Sequence, residues 1–324
     1  AIRNLQNVSL HGERRTGKTS LLLYLSHPDT SSKLGLSPDS LPVYFNFQGF
    51  AEASVSNVWQ AIAAAIADQG RQKLPDNKAI IDQFSAVIAE FAETPELFIT
   101  GLTQALTLLK GVGLTVHLLF DEFEQTKEST NLGDSFYDAL RSLPTRTENL
   151  SYVIATRTGL AGLQTEYTKI SSPFFNIFTS LTLHPFSADD VSKLIFSYFT
   201  RAELEFSLID KLMAQKAFLY ETTGYHPFFV QALCYQLCER LEDPEWPLGQ
   251  AQQDALQAFE KNATLHFDYY WQVSSKEEKE AIGKLAAWQP VPERVARRLY
   301  DRCLAVETVR GWRLFSSIFA KWVS

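Results

Sequence analysis

Gly12-Glu13-Arg14-Arg15-Thr16-Gly17-Lys18-Thr19 is the stretch that most constrains how this chain folds. It fits the pattern G-x-x-x-x-G-K-[ST], and its flanks decide what the match is worth. Asn7-Val8-Ser9-Leu10-His11 before it reads as a short strand, and Ser20-Leu21-Leu22-Leu23-Tyr24-Leu25 after it as helix. A strand feeding a glycine loop that opens a helix turns backbone N–H groups inward at the positive helix end, and so cradles phosphate. Gly12 and Gly17 permit the bend. Lys18 is placed to reach the β- and γ-phosphates of a nucleotide, and the Thr19 hydroxyl to ligate Mg2+. Arg15, Thr16 and Ser20 complete the expected phosphate-lining run. Arg14 and Arg15 would serve through their backbone N–H groups, with their side chains outward.

The rest of the chain alternates. Strands are expected over 41–48, 116–120, 152–157 and 181–184, with helices over 51–70, 79–92, 95–109 and 134–143 between them; Pro75 and Asp76 break the first two helices apart. That order predicts an α/β fold, a mostly parallel sheet covered on both faces by helices, with ligands beyond the carboxyl ends of the strands. From Pro185 the pattern turns helical, over 187–199, 207–220, 227–241 and 249–270, with a boundary-like break at Asp243-Pro244-Glu245-Trp246-Pro247. Helices over 275–287 and 291–302, then two short strands around Arg310-Gly311, suggest a winged helix. The expected parts are an ATPase domain over 1–185, a helical subdomain over 186–272 and a winged helix over 273–324, which 324 residues can accommodate.

Asp121-Glu122 follows a segment with four apolar residues, Val116, Leu118, Leu119 and Phe120, so both carboxylates stand at a strand tip. Asp121 is placed to hold the Mg2+ shell, and Glu122 to polarise a water for attack on the γ-phosphate. Glu124 is the weaker base, two residues further from the strand. Arg157, at the end of another strand, can meet phosphates across the sheet edge. His226-Pro227, after Gly224-Tyr225, opens a helix in the ordinary way. Cys234 and Cys238 share a helical face, but no Cys or His pair completes a metal site, so they and Cys303 read as buried thiols.

The loop, Asp121-Glu122, Ala155-Thr156-Arg157 and Gly224-Tyr225-His226-Pro227 together resemble the signal-transduction ATPases with numerous domains (STAND), relatives of the AAA-plus ATPases. Glu13 through Leu22 is worded like the prokaryotic members. The resemblance covers nearly the whole chain. It implies ATP and ADP as ligands, with Pro227 set against adenine and His226 beside it, and Arg157 sensing nucleotide state. In this chain Tyr225 stands where the family has glycine two residues before that proline. The resemblance further implies a slow regulatory hydrolase, closed with ADP and open with ATP, that self-associates in the ATP state. An N-terminal adenine-contacting segment, effector and sensor domains would belong to the same longer chain, and Ala1 reads as the start of an excised piece.

A sparse, odd set of cysteines suits a reducing, cytoplasmic setting. No apolar run is long enough to span a bilayer. The alternative is a DNA-associated AAA-plus ATPase of the origin-recognition type. Ten Lys and Arg against six Asp and Glu give residues 273–324 a charge of +4 within a chain of net charge −7. A solvated or docked basic face accounts for that charge more simply. A non-hydrolysing nucleotide scaffold is the third reading, opposed by the intact Lys18, Thr19, Asp121 and Glu122.

Overall fold

Five parallel strands carry the first half of the molecule. In a computed structural model, which describes residues 4–74, 78–94, 96–160, 162–163, 173–201, 203, 205–241 and 247–324, they are β1 (Asn7–His11), β2 (Ser40–Asn46), β3 (Thr115–Asp121), β4 (Leu150–Thr156) and β5 (Phe178–Thr182). The spatial order is β2-β3-β4-β1-β5, and every pairing is parallel. β4 is buried along its whole length, as a strand covered on both faces must be. Pro75, Asp76, Pro95 and Asp243 to Trp246, expected as breaks or a helix start, lie outside the described residues.

The chain divides into two compact units, residues up to His11 with Lys18–Thr182, and Gly12–Gly17 with Leu183–Ser324. In the first, the helices are α1 (Lys18–Ser26), α2 (Thr30–Lys33), α3 (Val55–Lys73), α4 (Lys78–Phe91), α5 (Phe98–Gly111), α6 (Gln125–Glu128) and α7 (Asp134–Thr147). Ser54 caps α3, its hydroxyl accepting from the Asn57 N–H at 3.1 Å. Val58, Trp59, Ile62, Ala63 and Ile66 then form one buried stripe at helical spacing. Around Phe47, Phe120, Phe123, Phe136, Tyr137 and Phe174 the core is an aromatic cluster.

The second unit holds α8 (Ala188–Arg201), α9 (Phe206–Met213), α10 (Lys216–Thr223), α11 (Pro227–Leu241), α12 (Leu248–Gln272), α13 (Lys276–Ala286), α14 (Glu293–Asp301), the antiparallel pair β6 (Ala305–Thr308) and β7 (Gly311–Leu314), and α15 (Ser317–Val323). Its own core runs from Val191 to Phe319. A reciprocal capping box starts α13, with Ser275 and Glu278 each bonding the other's backbone. Gly224 ends α10 at φ 54°, and a Cβ there would stand 2.2 Å from the Phe315 carbonyl oxygen, so only glycine fits. All three cysteines are buried thiols that form no disulfide.

Several elements differ from the sequence expectation. The last strand lies at 178–182, not 181–184, because Phe178 packs on Phe174 and Tyr152 and draws the strand back. The helix expected over 207–220 is two helices, ended at Gln215, whose buried amide bonds the Lys211 carbonyl and accepts from Gln252. α14 starts at Glu293 rather than 291, since a residue before Pro292 is held out of the helical region. α15 was not foreseen.

Candidate functional site

The Lys18–Thr182 unit gathers acidic and hydroxyl groups at the carboxyl ends of β2, β3 and β4. β2 and β3 run in register, with Tyr44 beside Leu119 and Asn46 beside Asp121. Tyr44 and Asp121 therefore share a face. Asp121 is buried. Its Oδ2 accepts from the Thr19 hydroxyl at 2.6 Å and from the Tyr44 hydroxyl at 3.1 Å, and its Oδ1 accepts the Glu122 N–H at 3.0 Å. Burial, then the Asp121 charge and hydrogen bond, push the Tyr44 phenol up to about 12, so it stays a donor. Lys18 opens α1, and Thr19 and Ser20 lie exposed in its first turn.

After Asp121 the chain turns sharply. Glu122 sits at φ 50°, the left-handed region that a glutamate occupies only when its surroundings hold it there. Phe123 supplies that hold. It is fully buried in the aromatic cluster, and its N–H reaches the Ala155 carbonyl at 3.2 Å. Burial raises the Glu122 pKa first, then the nearby Glu124 and Asp121 carboxylates, while Lys18 and Arg157 pull the other way. A raised carboxyl among these groups is suited to take up a proton. Arg157, immediately past β4, donates from Nε to Glu124 Oε1 at 2.8 Å.

In the second unit, Gly12–Gly17 bends through Arg15 at φ 66° and Gly17 at φ 96°, and Thr16 closes a turn onto the Glu13 carbonyl at 2.8 Å. Arg14 and Arg15 are exposed, with their side chains laid over aromatic rings. The Arg15 guanidinium lies 4.1 Å from the Phe228 ring centre and that of Arg14 5.1 Å from Tyr269. Buried Glu13 is clamped by Arg302, Nε to Oε2 at 2.9 Å, and the same guanidinium reaches Ser274 and Glu278. Pro227 opens α11, and His226 is fully enclosed with its ring on Phe229 and Phe315. Tyr225 takes φ 58° and sends its hydroxyl to the Lys216 carbonyl at 3.2 Å.

The site residues thus fall into two groups. Lys18, Thr19, Ser20, Asp121, Glu122 and Arg157 belong to the first unit; Gly12, Arg15, Thr16, Gly17, His226 and Pro227 belong to the second. Sequence reasoning missed Tyr44 and the contact between Glu124 and Arg157. An aromatic residue in a strand reads as core, and only the β2–β3 register reveals the carboxylate beside it.

A hydroxyl and a carboxylate at the strand tip match what Mg2+ takes from a protein when phosphates and water complete its shell. Among the described residues no group of three or more His, Cys, Asp or Glu forms a metal cage.

The family model described as novel STAND NTPase 2 matches residues 6–291. The chain belongs to that family. This STAND NTPase shares its fold with a Walker-type ATPase of Pyrococcus abyssi, at TM-score 0.57 and 14% identity over 99% of this chain and 92% of that one. The ORC2 protein of Aeropyrum pernix, in ADPNP–ADP complexes, is similar at TM-score 0.56 and 11% identity over 98% and 86%. At such identities the likeness concerns the fold. No curated protein sequence is significantly similar to the STAND NTPase chain.

Proposed function

We propose that this STAND NTPase binds ATP and ADP with Mg2+ and hydrolyses ATP slowly, as the switch module of a larger cytoplasmic signalling protein. The observation that carries the reading is Asp121, joined to the Thr19 hydroxyl at 2.6 Å and followed by a left-handed Glu122 of raised pKa. Gly12, Arg15, Thr16, Gly17, Ser20 and Lys18 hold the phosphates, with His226 and Pro227 at the base. Thr19 and Asp121 hold the metal, which neutralises phosphate charge. Glu122 accepts the proton of the attacking water, and Arg157 answers to the terminal phosphate. Residues 1–185, 186–272 and 273–324 act as ATPase domain, lid and winged helix, closed with ADP and open with ATP, when the chain self-associates. Effector and sensor domains belong to the same longer protein.

The DNA-associated reading gains little support from the basic tail, because most of its arginines are already paired. Arg294 and Arg298 both meet Glu277, Arg297 meets Glu293 and Glu307, and Lys321 meets Glu260. Counterion release needs cations that can turn to a backbone of phosphates.

Lys18→Ala should abolish binding of labelled ADP and ATP, since the β- and γ-phosphates lose their main cation; unchanged affinity for both would remove the site. Glu122→Gln should bind ATP normally while single-turnover hydrolysis falls about 10²-fold or more. A wild-type rate would move the base elsewhere.

A further inference from the structure

The proposed reading gives Glu124 no task, yet Glu124 is one of the most enclosed carboxylates of the molecule, 6% exposed. Its position follows from the turn. The left-handed Glu122 lets Phe123 plunge into the aromatic cluster, 5.4 Å from the Phe47 ring and 5.7 Å from Phe174. The Phe123 N–H ties the turn to Ala155, near the end of β4. Glu124 is thereby folded back against Arg157, the first residue past that strand. Oε1 takes the Arg157 Nε hydrogen at 2.8 Å. Oε2 is buried with no hydrogen-bond donor among the described residues. A buried carboxylate oxygen without a donor is costly, and a water brought in beside the reacting groups would satisfy it.

The donor can be narrowed down. An ionised carboxylate such as Glu122 has no hydrogen to give, and Glu124 lies close enough for its charge to act on Glu122. Arg157 can only donate, so it cannot accept a hydrogen from a water. A water between two carboxylates gives one hydrogen to each, and its lone pair then points away from both.

Resting on the hydrolase reading above, we infer that Glu124 is a catalytic residue whose Oε2 is the second acceptor for the attacking water, fixing its orientation while Glu122 serves as base. The water oxygen bonds to the γ-phosphorus as the bond to the β–γ bridging oxygen breaks, with that electron pair leaving on ADP. One water proton passes to Glu122; the other stays on the released phosphate. Glu124 gains and loses nothing. It holds its hydrogen bond until the second proton turns away with the product.

The test is Glu124→Gln in the chain as it stands. Glutamine keeps a carbonyl oxygen for Arg157 Nε but sets an N–H2 donor where the water needs an acceptor. The expected result is a fall of about 10²-fold in single-turnover ATP hydrolysis, with ADP and ATP affinities within about threefold of wild type. Binding of ADP with aluminium fluoride, which mimics the phosphoryl group with its in-line water, should weaken at least about tenfold while ADP alone does not.

If Glu124 merely holds Arg157, Glu124→Gln will hydrolyse ATP at the wild-type rate and Glu124→Ala will not, and the inference is overturned. Equal weakening of ADP and of ADP with aluminium fluoride also overturns it. Should Glu124→Gln fail to bind ADP, Glu124→Asp, which keeps the charge and withdraws the oxygens by one methylene, is judged by the same criteria. Failure of the underlying reading looks different, since the unmodified protein would then not hydrolyse ATP, or Glu122→Gln would leave its rate intact.

Discussion

Two hydroxyls hold Asp121 Oδ2, and one of them is the Tyr44 phenol from the neighbouring strand. Tyr44→Phe removes a single hydrogen bond from Oδ2 and leaves the Thr19 contact. Partners that orient a metal ligand commonly matter by a factor of ten or more. Titrating Mg2+ into the ADP complex of Tyr44→Phe should give an affinity about tenfold weaker, with metal-free ADP binding unchanged. An unmoved Mg2+ midpoint would separate Asp121 from the metal.

A second residue makes a pH prediction. His117, buried in β3 with Nδ1 2.7 Å from the Ser151 hydroxyl, has its pKa pushed down to about 4 by burial and then by the Lys73 charge. The unfolded chain takes up the proton near pH 6.5 and the folded one only near 4, so stability is lost as pH falls through that window. Between pH 7 and pH 5 the loss is about 2 kcal/mol. Urea denaturation at the two pH values should show it, and His117→Gln should remove most of the difference. Of these residues the sequence announced Asp121 and Glu122 by position alone. Tyr44 and the Glu124–Arg157 pair were illegible, because each depends on strands that are distant in sequence and adjacent in the sheet.

Element by element, what was legible followed strong local chemistry, and what was missed followed packing. The helix expected over 275–287 is α13, and the structure adds the Ser275–Glu278 box that starts it; the glycine loop announced β1 and α1. β5 is an edge strand with an exposed Leu181, so alternation in 181–184 imitated a strand whose position Phe178 decides. Nothing local marks Gln215 as a helix end, because its amide partners lie on the turn before it and on α12. Arg302, past the end of α14, is the reverse case, an ordinary tail cation that becomes the centre of a buried network. Glu13 and Glu278, 5% and 8% exposed, both depend on it. Arg302→Ala would leave two buried carboxylates without their cation, at a cost of about 3 kcal/mol. Chemical denaturation of the second unit measures this. Arg302→Lys should recover only part, since an ammonium cannot fork between Glu13 and Glu278. A loss under about 1 kcal/mol would mean the network is worth no more than a surface pair.

For the whole molecule, two hydrophobic clusters replace a single core, one drawn from Leu41 to Phe178 and one from Val191 to Phe319. Each has the size of a domain core, and a chain so built is not expected to unfold in one step. Scanning calorimetry should resolve two transitions, or one whose calorimetric enthalpy exceeds its van't Hoff enthalpy. A single transition with equal enthalpies would overturn that expectation. The tryptophans are divided unevenly along the chain. Trp59 alone belongs to the first unit, where it is 1% exposed against Phe136; the other five follow residue 240. Its indole is therefore a private optical label. Subtracting the emission of Trp59→Phe from that of the parent chain isolates the blue-shifted signal of one cluster, so the melting of the sheet unit can be followed by light without attaching a dye.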